Sequence, residues 1–234
     1  MSFSGNPMDR APIITLVLLL VFIFAVSLYV LNIFGIPVIQ SRNISSLEAV
    51  EIRGYQGERL SSIADFRENS IRGPQYINIS EYRLTVTGLT NRTLNYSYDE
   101  VLEKYPHHSK VITLFCVEGW DVTILWEGIL VKDLLEDAGP YPQANTVIFK
   151  SHDGYTTSLP LDYIRDRNIV IAYAMNGVTL PPERGFPFQL VAEDRWGYKW
   201  AKWVETIELT DDPNYRGYWE QRGFSNTADI NQSY

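Results

Sequence analysis

One side chain in this sequence has the chemistry of a soft metal ligand. Cys116 is the only cysteine among 234 residues, and it closes an apolar run in Leu114-Phe115-Cys116-Val117-Glu118-Gly119-Trp120. A thiolate suits a heavy, redox-active metal, and its reactivity needs a charged or metallated setting. A strand end would fix the sulfur rigidly, while Gly119 lets the backbone approach something bulky. A lone cysteine is also commonly a small buried hydrophobe, and periodicity alone leaves that alternative open. With no second thiol, an intramolecular disulfide, a multi-thiolate zinc site and a Cys-x-x-Cys-His haem attachment are all excluded.

A second stretch with chemical potential is residues 195–203. It carries Arg195, Lys199 and Lys202 and no acid, in a chain of formal net charge −8. Gly197 would present backbone N–H groups to an anion, and Lys199 would add charge. The alternative is a solvated strand with Trp196, Tyr198 and Trp200 packed on one face. Glu118 and Asp121 flank the cysteine, either as proton donors to a departing oxygen or as ordinary hydrogen-bonding acids near a turn. His107 and His108 follow Pro106 in an expected surface loop; His152, just before Asp153-Gly154, is expected to line the ligand cleft. The acid excess argues against nucleic acid as a partner, because duplex affinity comes from clustered cations. Neither Gly-x-Gly-x-x-Gly nor a P-loop is present, which disfavours nucleotide folds.

The elements that must position these groups are short. Strands are expected at 82–87, 111–115, 122–126, 146–149, 155–159, 169–175, 187–192 and 200–209. Ser97-x-x-Glu100 forms a capping box opening a helix at 98–105, which stops before Pro106. A second helix, Val131–Ala138, closes on Gly139-Pro140. Asn176-Gly177 is a hairpin-turn signal. Short strands with few helices and no βαβ order indicate an α+β domain. An apolar fraction of 45% supports a sizeable core, and 13% aromatics favour a β-rich fold.

Residues 11–41 contain no charge at all. A helix needs about 20 apolar residues to cross a bilayer, so residues 11–39 are expected to be a single transmembrane anchor behind a short tail at 1–10. No ionisable residue lies within it to serve as a haem ligand or proton relay, so its expected role is a tether. Residues 40–61 read as a linker and 62–234 as the oxidoreductase domain. Asn-x-Ser/Thr sequons at Asn43, Asn78, Asn91, Asn95 and Asn231 lean towards an extracytoplasmic placement.

Cys116-Val117-Glu118-Gly119-Trp120, followed by Ile124-Leu125-Trp126-Glu127-Gly128 and a short Leu-rich helix, resembles the molybdopterin domain of the sulfite oxidase superfamily. Further matches are Asp153-Gly154-Tyr155-Thr156-Thr157-Ser158-Leu159-Pro160, Leu180-Pro181-Pro182-Glu183-Arg184-Gly185-Phe186-Pro187 and Trp196-Gly197-Tyr198-Lys199-Trp200, in that order. The chain is most similar to the bacterial periplasmic branch that contains the methionine-sulfoxide reductase catalytic subunit.

The resemblance implies a mixed, β-rich domain in which Cys116 is the catalytic residue and gives one sulfur to molybdenum, beside two from the pterin dithiolene. The implied cofactor is molybdenum–molybdopterin, and the implied chemistry is two-electron oxygen-atom transfer. The phosphate of the pterin would be held by Arg184 with Gly185 and by Gly197, Tyr198 and Lys199; Asn69 and Arg72 match a first cofactor-contacting segment. Sulfite oxidases follow the cysteine with arginines, whereas Glu118 and Asp121 stand here and would repel a dianion. The expected substrate is therefore a small S- or N-oxide. A separate haem- or quinone-linked electron-transfer partner is expected, as no such group is encoded in the chain. The alternatives are a surface-anchored binding module that keeps the fold without cofactor, and a sulfite-oxidising enzyme.

Overall fold

The computed structural model describes residues 44–232. The anchor expected at 11–39 lies outside the described residues, and among those described no helix is long and apolar enough to cross a membrane.

The stretch expected as a linker packs against the domain from Leu47 onward. Leu47 and Leu60 are buried, and between them lies a two-residue hairpin, β1 (Gly54–Tyr55) with β2 (Glu58–Arg59). The buried Glu51 carboxylate explains the docking. It accepts from Ser62 Oγ (2.5 Å), Ile63 N (2.8 Å) and Asn176 Nδ2 (3.2 Å), so this charge has the partners its burial requires.

Two five-stranded sheets form the body. One comprises β3 (Leu84–Gly88), β4 (Leu94–Tyr96), β7 (Thr146–Ser151), β8 (Thr156–Pro160) and β12 (Val204–Thr210), in the order β4-β3-β12-β7-β8. All neighbours are antiparallel except β3 and β12, which run parallel. A parallel pair needs a long crossover. Here the crossover is most of the protein, since the second sheet is built between the two strands. That sheet contains β5 (His107–Phe115), β6 (Asp121–Leu130) and β9 (Val170–Met175), with β10 (Val178–Thr179) and β11 (Gln189–Val191) sharing the far edge of β9.

Strands β5 and β6 extend well beyond the apolar cores visible in sequence. His107–Lys110 pair with Ile129–Trp126, so both histidines belong to a strand and not to a loop. His107 is held by Leu102 O and by the Tyr173 hydroxyl, each at 2.8 Å. The Asn176-Gly177 turn forms as expected, both residues at positive φ (48° and 74°), between β9 and β10. Residues 200–203 are not strand; Trp203 has φ 52° and delays β12 until Val204.

Helix α1 (Tyr98–Lys104) carries the complete capping box, Ser97 and Glu100 each serving the other's backbone N–H. Helix α2 (Val131–Ala138) ends at Gly139 in the left-handed region. A third helix, α3 (Leu161–Asp166), was not signalled by any cap, since Pro160 precedes it without a side-chain bond. Asp137 near the end of α2 ties α1 and β4 to it, accepting from Tyr96 Oη, Lys104 Nζ and Tyr105 Oη at 2.7 Å each, and from Arg92. The Lys104 ammonium, with the Tyr105 and Tyr96 hydroxyls, holds this carboxyl well below the usual carboxylate range.

Replacing Asp137 by Asn is expected to cost roughly 1.5–3 kcal/mol, the worth of hydrogen bonds to a charged group. Because the folded pKa is depressed, that stability is fully present above the unfolded value, about 3.9, and is lost as pH falls through the folded one. Urea unfolding of the two proteins should show a constant gap near neutral pH that narrows below about pH 4. A gap that widens in acid would contradict the assignment.

Candidate active site

Cys116 sits where β5 ends and turns back into β6. Its backbone N–H donates to Trp120 O (2.9 Å) and its carbonyl accepts from Gly119 N (3.0 Å), closing a tight turn that Gly119 completes at φ +84°. From the opposite side comes a short 3₁₀ turn, Gly197–Lys199. A Cβ on Gly197 would stand 3.2 Å from Phe115 O and 3.7 Å from the Cys116 Cα. Glycine thus allows this turn to lie directly against the cysteine's backbone.

Both turns line a cavity of about 490 Å³. Its walls are the Phe66–Ile71 segment, the Cys116 turn, Asp153 and Tyr155, Gln189 on β11, the 197–203 segment, and Trp219 with Phe224. Cys116 lines it, although the residue is only 8% exposed. The Asn69 amide donates to the sulfur at 3.7 Å. Burial pushes the thiol up; the Glu118 backbone N–H, the Asn69 amide and the Arg67 charge act in the other direction. Asn69, Gly197 and Tyr198 join Cys116 in the wall. The Tyr198 hydroxyl donates to Ser225 O (2.9 Å), and its pKa is pushed up to about 12 by burial and then by Glu220.

Arg184 and Gly185 stand directly behind the wall. The Arg184 guanidinium lies 4.0 Å over the ring of Phe66 and donates to Ile63 O and Phe66 O, fixing the segment that bears Asn69. Its Nη1 is buried without a partner, and burial lowers its pKa to about 10 against the pull of Glu183 and Glu68. Gly185, at φ +96°, leaves room for Lys202 and Gln189; a Cβ there would come within 3.1 Å of both side chains. Arg72 is exposed beside Gly154, outside the residues that line the cavity.

Two expected site residues are placed elsewhere. His152 does not line the cleft: it is exposed, and its Nδ1 pairs with Glu205 at 2.6 Å. Lys199 does not offer charge to the cavity either. Its ammonium is sealed against Glu220, Ser158 O (3.0 Å) and Asn226 Oδ1 (3.3 Å), with side-chain exposures of 1% and 0% for the pair. Arg195 is likewise engaged, with Asp229. Of the three cations in that stretch only Lys202 reaches the cavity, where Glu68 neutralises it at 2.5 Å.

Several lining residues carried no sequence signal, among them Phe66, Ser70 and Trp219. Gln189 did carry one: a polar side chain inside the apolar run Pro187-Phe188-Gln189-Leu190-Val191. It is 3% exposed and its Oε1 is buried without a partner, as is Ser70 Oγ. Buried polar atoms are rarely left unpaired. Both residues line the cavity that also holds a soft sulfur, a setting that fits a bulky ligand with hydrogen-bonding edges and a metal, as a molybdenum–pterin group is. Among the described residues no three His, Cys, Asp or Glu side chains gather to hold a metal; the soft donor on the cavity wall is the Cys116 sulfur.

Comparison with known proteins agrees. The family model described as oxidoreductase molybdopterin binding domain matches residues 71–219. The uncharacterized oxidoreductase YuiH of Bacillus subtilis is 34% identical over 67% of this chain and 78% of its own length. The protein-methionine-sulfoxide reductase catalytic subunit MsrP of Gluconobacter oxydans is 29% identical over 56% of this chain, which spans 47% of that protein. Among solved structures, the sulfane dehydrogenase SoxCD from Paracoccus pantotrophus aligns with a TM-score of 0.57 over 69% of this chain and 44% of the other, at 22% identity, a likeness of fold.

The buried Lys199–Glu220 pair yields a test of its structural role. Lys199→Met should destabilise by roughly 3–5 kcal/mol, because Glu220 is left charged and unmatched. Adding Glu220→Leu should recover most of that loss in urea unfolding. A single variant as stable as the wild type would contradict the placement.

Proposed function

Because the chain belongs to the family of oxidoreductase molybdopterin-binding domains, enzymes whose cofactor is molybdenum–molybdopterin, we propose that it reduces a small S- or N-oxide at the outer face of a membrane. Residues 11–39 serve as its single anchor, and a separate haem- or quinone-linked protein supplies the electrons. The observation that carries the substrate choice is the turn after Cys116. The charged side chain it adds to the cavity is the carboxylate of Glu118, which offsets in net charge the one lining cation without an ion pair among the described residues, Arg67, while Lys202 is matched by Glu68. A dianion such as sulfite gains little there. The name of the Gluconobacter relative points to the same substrate class. Asp121 begins β6 outside the residues lining the cavity and has no part in this argument.

Each residue has a definable task. Bound at Cys116, the molybdenum–pterin group supplies the two-electron redox couple. Asn69 and the Glu118 backbone N–H orient the sulfur. Ser70 and Gln189, on the cavity wall with Oγ and Oε1 unpartnered, would turn these atoms to the pterin's polar edges, and Gly197 lets its turn lie against the Cys116 backbone. Phe66, Trp120, Trp200 and Trp203 line the cavity with rings that keep water from the reacting centre. Glu118, bonded by Trp120 Nε1 at 3.3 Å, is the group on the cysteine turn that can hold a proton for the departing oxygen. A sulfoxide takes up two electrons and two protons and leaves as thioether and water.

Oxidation of reduced viologen by the natively purified protein, run against a panel of sulfoxides, N-oxides and, in the reverse direction, sulfite, tests the proposal. Turnover with sulfoxides or N-oxides and none with sulfite is expected. Efficient sulfite oxidation with no S- or N-oxide reduction would overturn it.

A further inference from the structure

The five Asn-x-Ser/Thr triplets of this chain, beginning at Asn43, Asn78, Asn91, Asn95 and Asn231, are treated differently by the fold. Such a triplet accepts an N-linked sugar where its asparagine is reachable on the surface. The amide nitrogen must also be free to react, with the Ser or Thr hydroxyl of the same triplet beside it. Asn43 lies outside the described residues.

In three of the other four, the amide or the hydroxyl is engaged elsewhere. Asn95 lies on β4, where its Nδ2 donates across the hairpin to Thr85 Oγ1 at 3.3 Å. Ser97, the hydroxyl residue of that triplet, is occupied in capping α1, accepting from Glu100 N. The Thr93 hydroxyl, which belongs with Asn91, meets Thr87 Oγ1 at 3.3 Å instead, and the Asn91 backbone is tied to Gly139 O at 2.8 Å. Asn231 Nδ2 donates to Asp229 Oδ1 at 3.1 Å.

Asn78 is arranged otherwise. Ser80 donates to its Oδ1 twice, from the backbone N–H at 3.3 Å and from the hydroxyl at 2.9 Å. This closes a turn in which the asparagine side chain stands in for a backbone carbonyl. The hydroxyl of the triplet therefore sits on the amide of the same triplet, while Nδ2 donates to no described residue. Residues 78–81 are all exposed. The turn is held from beneath: Asn78 O accepts from Glu81 N at 3.1 Å and Tyr82 N at 3.0 Å, and the buried Tyr82 is tied by its hydroxyl to Val204 O. Asn78 thus stands on a fixed, outward turn shortly before β3, outside the residues that line the cavity.

Its neighbours give a second reason. Tyr76 and Ile79 are 55% and 37% exposed, whereas Ile77 between them is buried. Two large apolar side chains exposed within four residues form a patch on a polar turn, and a bulky, solubilising chain attached between them would shield it.

We propose that Asn78 carries an N-linked glycan and that Asn95, with the same triplet in a strand, does not. The inference rests on the reading that the domain stands at the outer face of a membrane. The donor is an oligosaccharide linked to a lipid phosphate. Nδ2 attacks the sugar's C1: the N–C bond forms as the C1–O bond to phosphate breaks, the lipid phosphate leaves with the bonding pair, and one amide proton passes to solvent. No oxidation or reduction occurs. Donation from Ser80 stabilises the charge that builds on Oδ1 as the nitrogen lone pair becomes available for attack.

Peptide mapping by mass spectrometry, with fragmentation that leaves sugars attached, tests this on the full protein purified from the membranes of its own cells. Most copies of the Asn78 peptide should carry a sugar mass, and the Asn95 peptide none. Ser80→Ala, which keeps the asparagine, should lower occupancy at Asn78 by on the order of tenfold or more, and Ser80→Thr should retain it. Viologen-driven turnover should be the same in both variants as in the wild type. A bare Asn78 in the wild type, equal occupancy at Asn78 and Asn95, or unchanged occupancy in Ser80→Ala would overturn the site. Protease added to intact cells decides the placement separately. Digestion of the domain with Asn78 bare overturns the glycan alone; protection of the domain with Asn78 bare overturns both.

Discussion

Everything at the site depends on two turns from different parts of the chain meeting at one sulfur. The hairpin between β5 and β6 holds the Cys116 backbone by bonds to Trp120 and Gly119, and the 3₁₀ turn at Gly197 lies directly against that backbone. The first is local, built from five consecutive residues. The second is about 80 residues away in sequence and arrives only because β11 and β12 carry the chain from one sheet to the other. A side chain at Gly197 would have to push Phe115 O aside, so the glycine keeps the two turns in contact beside the cysteine. Rigid elements on both sides restrict the thiol to one direction, which a ligand to a heavy metal requires.

Charge around this site is handled by pairing rather than by net excess. In an acidic chain, Lys199 is spent on Glu220 inside the fold, and Lys202 is matched by Glu68 at the cavity wall. Arg184 works indirectly, bracing the Phe66–Ile71 wall through two carbonyls and a ring face. The burial of these cations lowers their pKa, and the neighbouring carboxylates pull it back. What remains on the cavity wall is a sulfur, rings, amide and hydroxyl groups and the opposite charges of Arg67 and Glu118, a set suited to a large polar-edged cofactor and a substrate without net charge.

Local signals in the sequence were reliable where the structure they specify is local. Ser97 and Glu100 cap α1, Gly139 ends α2, and Asn176-Gly177 turns β9 into β10, each by contacts within a few residues. Cys116 was legible for the same reason, since an apolar strand and a following glycine describe its setting. Long-range pairing was not legible. His107–Lys110 look like a loop after Pro106, but they gain strand partners from β6. Lys199 looks like an anion site because Glu220, its partner, stands 21 residues later. His152 was expected at the cleft from its place before the Asp153-Gly154 turn, but its side chain is exposed and pairs with Glu205, 53 residues later. The linker expected before residue 62 contains Glu51, whose partners at Ser62, Ile63 and Asn176 only folding brings together.

The central claim is that the Cys116 sulfur bonds a heavy metal. X-ray absorption at the molybdenum edge, on natively purified wild-type protein and on Cys116→Ser, measures it most directly. The account predicts molybdenum in the wild type, with one more sulfur neighbour than any metal retained by the variant. Equal sulfur coordination in both proteins, or a wild type purified from a molybdenum-replete host without the metal, would contradict it.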